Sequence, residues 1–359
     1  MKIIHCADLH LDSKMETNLD ENKAKDRRYE LLDTFNRMIS YAKENDVKAM
    51  IIAGDMFDTS KNQQRSIKNR TLSMIKEAKD INFFYLKGNH DKGFFFENGE
   101  DQPRNLKFFS QKWTSYEYEG ITITGLEFGM DKNLDIYSEL ILNEYHCNLV
   151  VMHGNIMKSG QQEEYIDLNQ LKNKYIDYLA LGHLHQYQED KLDRRGIWCY
   201  SGCLEGRGFD ECGKKGFVVL NIEKGVITTE FVSLSKREIH EIQVDITDEV
   251  EMNKIRKKVN EGISTIPEKD LLKIVLTGTI TEETDLDMED LEQETKGKYY
   301  VCKIVNETKP KIDYLKYEND LSLKGEFIRK VKSLEDVCDE EKDQIILLGI
   351  QALFGRDIK

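Results

Sequence analysis

Proline is nearly missing from this sequence, with three in 359 residues at Pro103, Pro267 and Pro310. Low-complexity linkers and internal repeats are missing too, which excludes a tandem-repeat architecture. No apolar run approaches the roughly 20 residues of a membrane span. The N-terminal residues run straight into strand-like sequence without the basic and apolar regions of a secretory leader, so none is expected. The seven cysteines are odd in number and scattered. Cys6 and Cys147 lie inside apolar runs, where a free thiol packs as a small hydrophobe. Cys199, Cys203 and Cys212 lack a zinc spacing, so reduced thiols in a cytoplasmic protein are expected. An excess of positive charge is also lacking. The formal net charge is −14, which counts against tight autonomous binding to nucleic acid. A nucleic-acid substrate would have to meet a local basic patch, a metal site or a partner's surface.

What is present is a charged, globular chain, 39% hydrophobic and 33% charged, of a length that suits two domains. One pattern recurs along it, a short apolar run followed by a polar cluster. Ile3-Ile4 leads to Asp8 and His10, and "AMIIAGDMFD" leads to Asp55 and Asp58. "NFFYLKGNHD" leads to Asn89, His90 and Asp91, "NLVVMHG" to His153, and "YLALGHLH" to His183 and His185. Short runs rich in Ile, Val, Phe and Tyr predict buried strands. Between them, Leu31, Leu32, Phe35, Met38, Ile39 and Ala42 have helical spacing within Arg28–Glu44, and Asn62–Lys79 is a second, more basic helical candidate. Strand–helix alternation predicts an α/β sandwich with much parallel pairing, whose strand-end loops gather in one crevice. The five clusters can therefore meet although the outermost are about 175 residues apart.

Five of the eight histidines fall in these clusters, whereas His5, His146 and His240 read as packing or surface residues. Each cluster taken singly has a bland reading; Asp8 and His10 alone would pass for a capping Asp and a surface His. Together they form an Asp, Asn and His set without thiolate, which suits Mn²⁺, Fe²⁺ or Zn²⁺. Two such ions, about 3.5–4 Å apart and bridged by one carboxylate, would activate water and stabilise the entering and leaving oxygens of a phosphoryl displacement. No Ser or Cys nucleophile motif stands beside these histidines, so acyl transfer fits poorly. Gly54, Gly88, Gly154 and Gly182 adjoin the clusters, where the backbone must turn off a strand and approach a ligand closely.

Asp8-x-His10, Gly54-Asp55-x-x-Asp58, Gly88-Asn89-His90-Asp91, His153-Gly154 and Gly182-His183-x-His185 together resemble the five-motif signature of calcineurin-like metallophosphoesterases, in its usual order, over roughly residues 1–235. "HCADLHLDS" and "YSGCLEGRGFDECGKKGF" are similar to the bacterial DNA-repair exonuclease branch of the SbcD and YhaO type. The resemblance implies a metallophosphoesterase β-sandwich flanked by helices. It implies one ion, most simply Mn²⁺, held by Asp8, His10, Asp55 and His185. A second would be held by Asp55, Asn89, His153 and His183, with Asp55 bridging. His90 would face the scissile phosphate, and Asp91 would orient it. Double-strand-break nucleases of this superfamily carry His where this chain has Asp58, which leaves Asp58 as an acceptor for a ligand His or a helix-starting residue. Arg207 suits a phosphate contact or an ion pair with Asp210 or Glu211. The aromatics of "GFFFEN" (93–98) suit burial or base stacking.

From about residue 238 the ligand types vanish. "REIHEIQVDI", "LLKIVLTGTI" and "YYVCKIV" predict strands, Glu249–Ile263 a helix, and Glu282–Glu294 a solvated helix or loop. The expected domains are a phosphoesterase domain over 1–237, a smaller α+β cap over 238–318 and a C-terminal helical segment over 319–359. The broad apolar band Ile345–Phe354 suits packing on the cap or docking of a partner. The resemblance makes that partner an SbcC-type coiled-coil ATPase, and it also implies a homodimer. The basic stretch Lys61–Lys79 would serve the dimer or DNA. The implied activity is metal-dependent hydrolysis of the DNA backbone in repair, exonucleolytic at ends and endonucleolytic on single strands. A phosphatase or cyclic-nucleotide phosphodiesterase would share every motif, and a scaffold that only binds its ATPase is the remaining reading.

Overall fold

The computed structural model describes residues 1–15, 19–58, 65–91, 102–118, 120–127, 135–156, 165–281, 284–311, 317 and 319–353. The chain divides into two compact units, Met1–Ile239 and His240–Lys359.

In the first unit the elements run β1 (Lys2–Cys6), α1 (Glu21–Glu44), β2 (Val47–Ala53), α2 (Arg65–Glu77), β3 (Asn82–Leu86), β4 (Leu106–Phe108), β5 (Thr114–Tyr118), β6 (Ile121–Gly125) and β7 (Cys147–His153). They continue through α3 (Leu168–Leu171), β8 (Tyr178–Gly182), β9 (Gln188–Lys191), β10 (Ile197–Tyr200), β11 (Gly216–Glu223) and β12 (Val226–Ser233). Two six-stranded mixed sheets form, in the orders β12-β11-β1-β2-β3-β4 and β5-β6-β7-β8-β10-β9. Pairing is parallel from β1 through β4 and along β6-β7-β8-β10. The sandwich with parallel centres expected from strand–helix alternation is therefore present.

The alternation of side chains along a strand assigns each apolar residue to a layer. Ile4, Met50 and Ile52 point to the helical side, where they meet Phe35, Met38 and Ile39 of α1. Ile3, Ala49 and Ile51 point the other way, onto Leu149, Val151, Tyr178 and Ala180 of the second sheet. Val150, Met152, Leu179 and Leu181 close the outer face of that sheet on Ile166, Leu171 and Ile176. Strands buried on both faces read as unbroken apolar runs, which is why these were legible. Helix α1 begins well before the apolar periodicity. Asp20 caps it by accepting from Lys23 N at 2.9 Å, and its first turns carry few apolar residues.

Register then places the site. Cys6 of β1 pairs with Ile52, and Ala53 with Leu86 of β3, so these three strands end level. His153 at the end of β7 pairs with Gly182 at the end of β8.

The second unit contains β13 (Ile239–Asp245), α4 (Met252–Ile263), β14 (Leu271–Thr277), β15 (Thr279–Ile280), α5 (Met288–Thr295), β16 (Val301–Asn306) and β17 (Lys309–Pro310). Its three-stranded sheet, β13-β14-β16, is packed through Leu272, Ile274 and Leu276 on Ile255, Val259 and Ile263 of α4 and Leu291 of α5. Part of the acidic stretch is thus a helix with a buried apolar residue. Two further helices follow, α6 (Leu323–Lys332) and α7 (Asp339–Leu353). Ile346 of α7 packs on Phe327, Ile328 and Val331 of α6 and on Tyr317 in a small separate cluster. No helix among the described residues is long and apolar enough to cross a membrane.

Candidate metal centre

The polar clusters follow β1, β2, β3, β7 and β8 directly, and the level strand ends bring them together. The backbone turns sharply there. Asp8, His10, Asp55 and His183 have φ of 51, 41, 51 and 110°, values that Asp and His tolerate better than most residues but that still carry strain. Hydrogen bonds hold these turns. Asp8 N donates to Gly54 O, His10 N to Asp55 O and Leu11 N to Met56 O, each at 3.0 Å, which zips the first loop onto the second. His183 N donates to both oxygens of Asp8 at 3.0 Å, tying in the fifth cluster.

One donor set gathers around His10 Nε2, which lies 3.3 Å from His185 Nε2 and 3.9 Å from Asp55 Oδ2. His185 Nε2 is 4.0 Å from Asp8 Oδ1. A second set gathers around His153 Nε2, 3.3 Å from Asp55 Oδ2 and 3.0 Å from Asn89 Oδ1. The His183 ring stands edge-on to His153, with centroids 5.5 Å apart. Ligands about 2.0–2.2 Å from an ion are separated from each other by about 3–4.4 Å, and the donor separations fall in that range. The neutral and anionic oxygen and imidazole donors fit two divalent cations, and Asp55 Oδ2 is the atom common to both sets. Donor atoms of Asp8, Asp55 and His153, and of Asp8, His10 and His185, lie within 4.8 Å of one another. A third such group, His185, Cys203 and Glu211, lies behind His185. Burial pushes the Cys203 thiol far up.

The groups behind the ligands set which ring nitrogen is presented. His153 Nδ1 is 2.9 Å from Ala53 O, and donation to that carbonyl leaves Nε2 as the ring atom that faces Asp55 and Asn89. His185 Nδ1 meets Glu211 Oε1 at 2.6 Å, and His10 Nδ1 makes a close ion pair with Asp58. Electrostatics within the centre are strong. Burial alone would raise Asp55, but His153, the His90 N–H and His10 together hold the carboxyl down at about 2. Burial would lower His153, but Asp55 and Asp8 bring it up to about 9. Burial opposes ionisation of Glu211, yet His185 and Arg207 keep it at about 2.

His90 lies at the rim, its side chain 49% exposed, with its ring edge-on to His10 at 5.3 Å. Its backbone N–H donates to Asp55 Oδ1 at 2.9 Å. Asp91, expected to orient it, is placed otherwise. Its carboxylate accepts from Phe57 N and Gly88 N at 3.0 Å and Met56 N at 3.3 Å, joining the second and third loops. Burial, then the nearby Asp55 charge, raise the pKa of Asp91 despite those bonds. The carboxylate beside the His90 ring is Asp58, with Oδ1 3.9 Å from His90 Nδ1. Asp58 therefore takes the acceptor role toward the ligand His10. The guanidinium of Arg207 bonds Glu211 Oε1 at 3.1 and 3.2 Å and Asp58 at 3.3 and 3.4 Å. The sequence offers Glu211 only as a surface partner of Arg207; its contact with His185 depends on tertiary placement. Segment 93–98 and residues 61–64 lie outside the described residues.

Strand-end clusters of Asp, Asn and His donors on a mixed β-sandwich, with Asp55 Oδ2 near both donor sets, are the arrangement of a metal-dependent phosphoesterase. The calcineurin-like phosphoesterase family matches residues 1–187, more than half the chain, and the chain belongs to that family. It is similar to the metallophosphoesterase YhaO of Bacillus subtilis, 25% identical over 79% of this chain and 73% of that protein. It is also similar to proteins named DNA double-strand break repair protein Mre11. The one from Thermoplasma acidophilum is 26% identical and the one from Sulfolobus acidocaldarius 24%, each over 81% of this chain and 79% of the relative.

Proposed function

We propose that this chain is a Mn²⁺-dependent phosphodiesterase that hydrolyses the DNA backbone in repair, exonucleolytically at ends and endonucleolytically on single strands. The observation that carries the reading is the sharing of Asp55 Oδ2 between two donor sets, 3.9 Å from His10 Nε2 and 3.3 Å from His153 Nε2. Support for DNA comes from the similarity to the Mre11 proteins, which extends over 81% of the chain and so beyond the phosphoesterase match at 1–187.

Two divalent ions there would supply Lewis acidity toward a phosphodiester and an acidified water. The donor set has no thiolate, which favours Mn²⁺, with Fe²⁺ or Zn²⁺ as the other candidates. Asp8, His10, Asp55 and His185 would hold one, and Asp55, Asn89, His153 and His183 the other. The rest of the work falls to side chains. His90, exposed at the rim, reaches toward the substrate and protonates the leaving oxygen. Its own N–H fixes the bridging carboxylate at 2.9 Å. Asp91 positions the two loops that carry Asp55 and Asn89.

In this reading residues 1–237 form the nuclease domain, 238–318 a cap that selects the substrate, and 319–359 a partner-docking segment. The partner is an SbcC-type coiled-coil ATPase, met by the exposed Leu323, Ile345 and Leu348 of the C-terminal helix pair and by Leu321 just before it. A homodimer and a cytoplasmic setting complete it; none of the seven cysteines forms a disulfide. The net charge of −14 favours the alternative, a phosphatase or cyclic-nucleotide phosphodiesterase acting on a small substrate. The test is incubation with Mn²⁺ and either end-labelled duplex DNA or bis(p-nitrophenyl) phosphate, alongside Asp55→Ala and His90→Ala. DNA degradation lost in both variants supports the proposal. Cleavage of the small diester alone, with DNA intact even when the ATPase is added, contradicts the DNA reading.

A further inference from the structure

Arg207 stands in a glycine-flanked loop and invites a reading as a phosphate contact, but its neighbours point elsewhere. Its guanidinium lies between two carboxylates, that of Asp58, 149 residues earlier in the chain, and that of Glu211, four residues later. On one side Nη1 bonds Asp58 Oδ1 and Oδ2 at 3.3 and 3.4 Å. On the other, Nε and Nη2 bond Glu211 Oε1 at 3.2 and 3.1 Å, the backbone N–H of Arg207 bonds Glu211 Oε2 at 2.8 Å, and Nη2 also lies 3.1 Å from His185 Nδ1. Each carboxylate is also the partner of one ligand histidine. Asp58 pairs with His10 Nδ1, and Glu211 Oε1 meets His185 Nδ1 at 2.6 Å. His10 and His185 face each other through Nε2 at 3.3 Å.

The five side chains close a ring: His10, Asp58, Arg207, Glu211, His185, and back to His10 across the point where their Nε2 atoms meet. For both Nε2 atoms to offer lone pairs to one cation, both Nδ1 atoms must carry protons and donate them. The two carboxylates accept those protons. A planar guanidinium, whose N–H groups fan out in one plane, holds both carboxylates at a fixed spacing. Behind His153 stands a backbone group instead, with its Nδ1 held by the Ala53 carbonyl at 2.9 Å.

We propose that Arg207 is a positioning residue that clamps Asp58 and Glu211 and thereby orients His10 and His185 for one of the two metal ions only. This rests on the two-metal reading above and adds to it an asymmetry. The ion at His10 and His185 depends on Arg207, and the ion at His153 and Asn89 does not.

The test is calorimetric titration of the metal-stripped full chain with Mn²⁺, paired with kcat and KM on bis(p-nitrophenyl) phosphate. Wild type is expected to bind two equivalents. Arg207→Ala is expected to weaken one equivalent about 10–100-fold and leave the other within about twofold, with kcat falling and KM changing little. Arg207→Lys does not rescue, because an ammonium is a point charge and cannot span both carboxylates. Glu211→Gln keeps the side chain's shape and reads the same selective loss should the alanine variant fail to fold by circular dichroism. Two unchanged equivalents in both Arg207→Ala and Glu211→Gln, or a raised KM with kcat intact, overturns the clamp and makes Arg207 a substrate contact. Fewer than two equivalents in wild type overturns the two-metal reading itself, and the clamp with it.

Discussion

His10 and His185, 175 residues apart in the chain, face each other through their Nε2 atoms at 3.3 Å. Two ring nitrogens with free lone pairs repel at that distance unless a cation lies between them or one is protonated. Their Nδ1 partners, Asp58 and Glu211, favour the metal-binding tautomer in both.

Glycine at the end of β8 is required by the approach of β2. A Cβ on Gly182 would stand 1.8 Å from Ala53 O and 2.7 Å from His153 Nδ1, the two groups that bond each other. Gly182→Ala should therefore cost about 1–3 kcal/mol or more of stability by overpacking. It should also weaken Mn²⁺ at the His153 position at least tenfold, although residue 182 is not a ligand. Thermal melting with and without Mn²⁺ reads both effects.

Asp91 and His90 should separate in kinetics. His90→Ala should lower kcat about 10²–10⁴-fold and remove the limb of the pH–rate profile that reports the proton donor, with little loss of stability. Asp91→Ala removes the acceptor of three backbone N–H groups and should destabilise by about 1–3 kcal/mol while the residual activity keeps the wild-type profile. A pH–rate series on both variants checks this.

His5 predicts an acid limb in stability. It is fully buried between the sheets, with Nδ1 2.8 Å from Tyr178 OH, and burial lowers its pKa from 6.5 to about 3. The unfolded chain takes up a proton as pH falls through 6.5, and the folded chain resists until about 3. The contribution is therefore fully present above pH 6.5 and is lost as pH falls below it, by at most about 1.4 kcal/mol per pH unit. Urea unfolding at pH 7 and pH 5 should show a smaller difference in His5→Gln than in wild type.

Arg27 should be intolerant of truncation. Buried at 1% exposure, it pairs with Glu30 and with Glu205 at 3.0 Å, and Glu205 also accepts from Thr34 Oγ1 at 2.6 Å. Arg27→Ala leaves buried carboxylates without their cation, at a cost of about 3–5 kcal/mol. Denaturant titration reads it.

The parts of this architecture that were legible in the sequence are those fixed locally. Strands buried on both faces, such as Met50–Ala53 and Leu149–Met152, show as apolar runs, and the His and Asp residues that follow them show as clusters. The three histidines read as packing or surface residues have partners of their own: His5 meets Tyr178, His146 meets Thr122 and His240 meets Asp270. What was not legible depends on loops that meet only after folding. Asp58 and Glu211 take their roles from the neighbouring histidines, and neither spacing nor residue type announces that. Arg27 sits in the polar first turns of α1, where no periodicity marks it as buried. The capping Asp20, rather than an apolar stripe, sets where that helix starts.

The central claim is that two ions share the Asp55 carboxylate, and electron paramagnetic resonance of the Mn²⁺-loaded protein tests it most directly. Wild type should give the spectrum of an exchange-coupled Mn²⁺ pair, and Asp55→Asn should lose the coupling. A wild-type spectrum of isolated, uncoupled Mn²⁺ at saturating metal would contradict the shared centre.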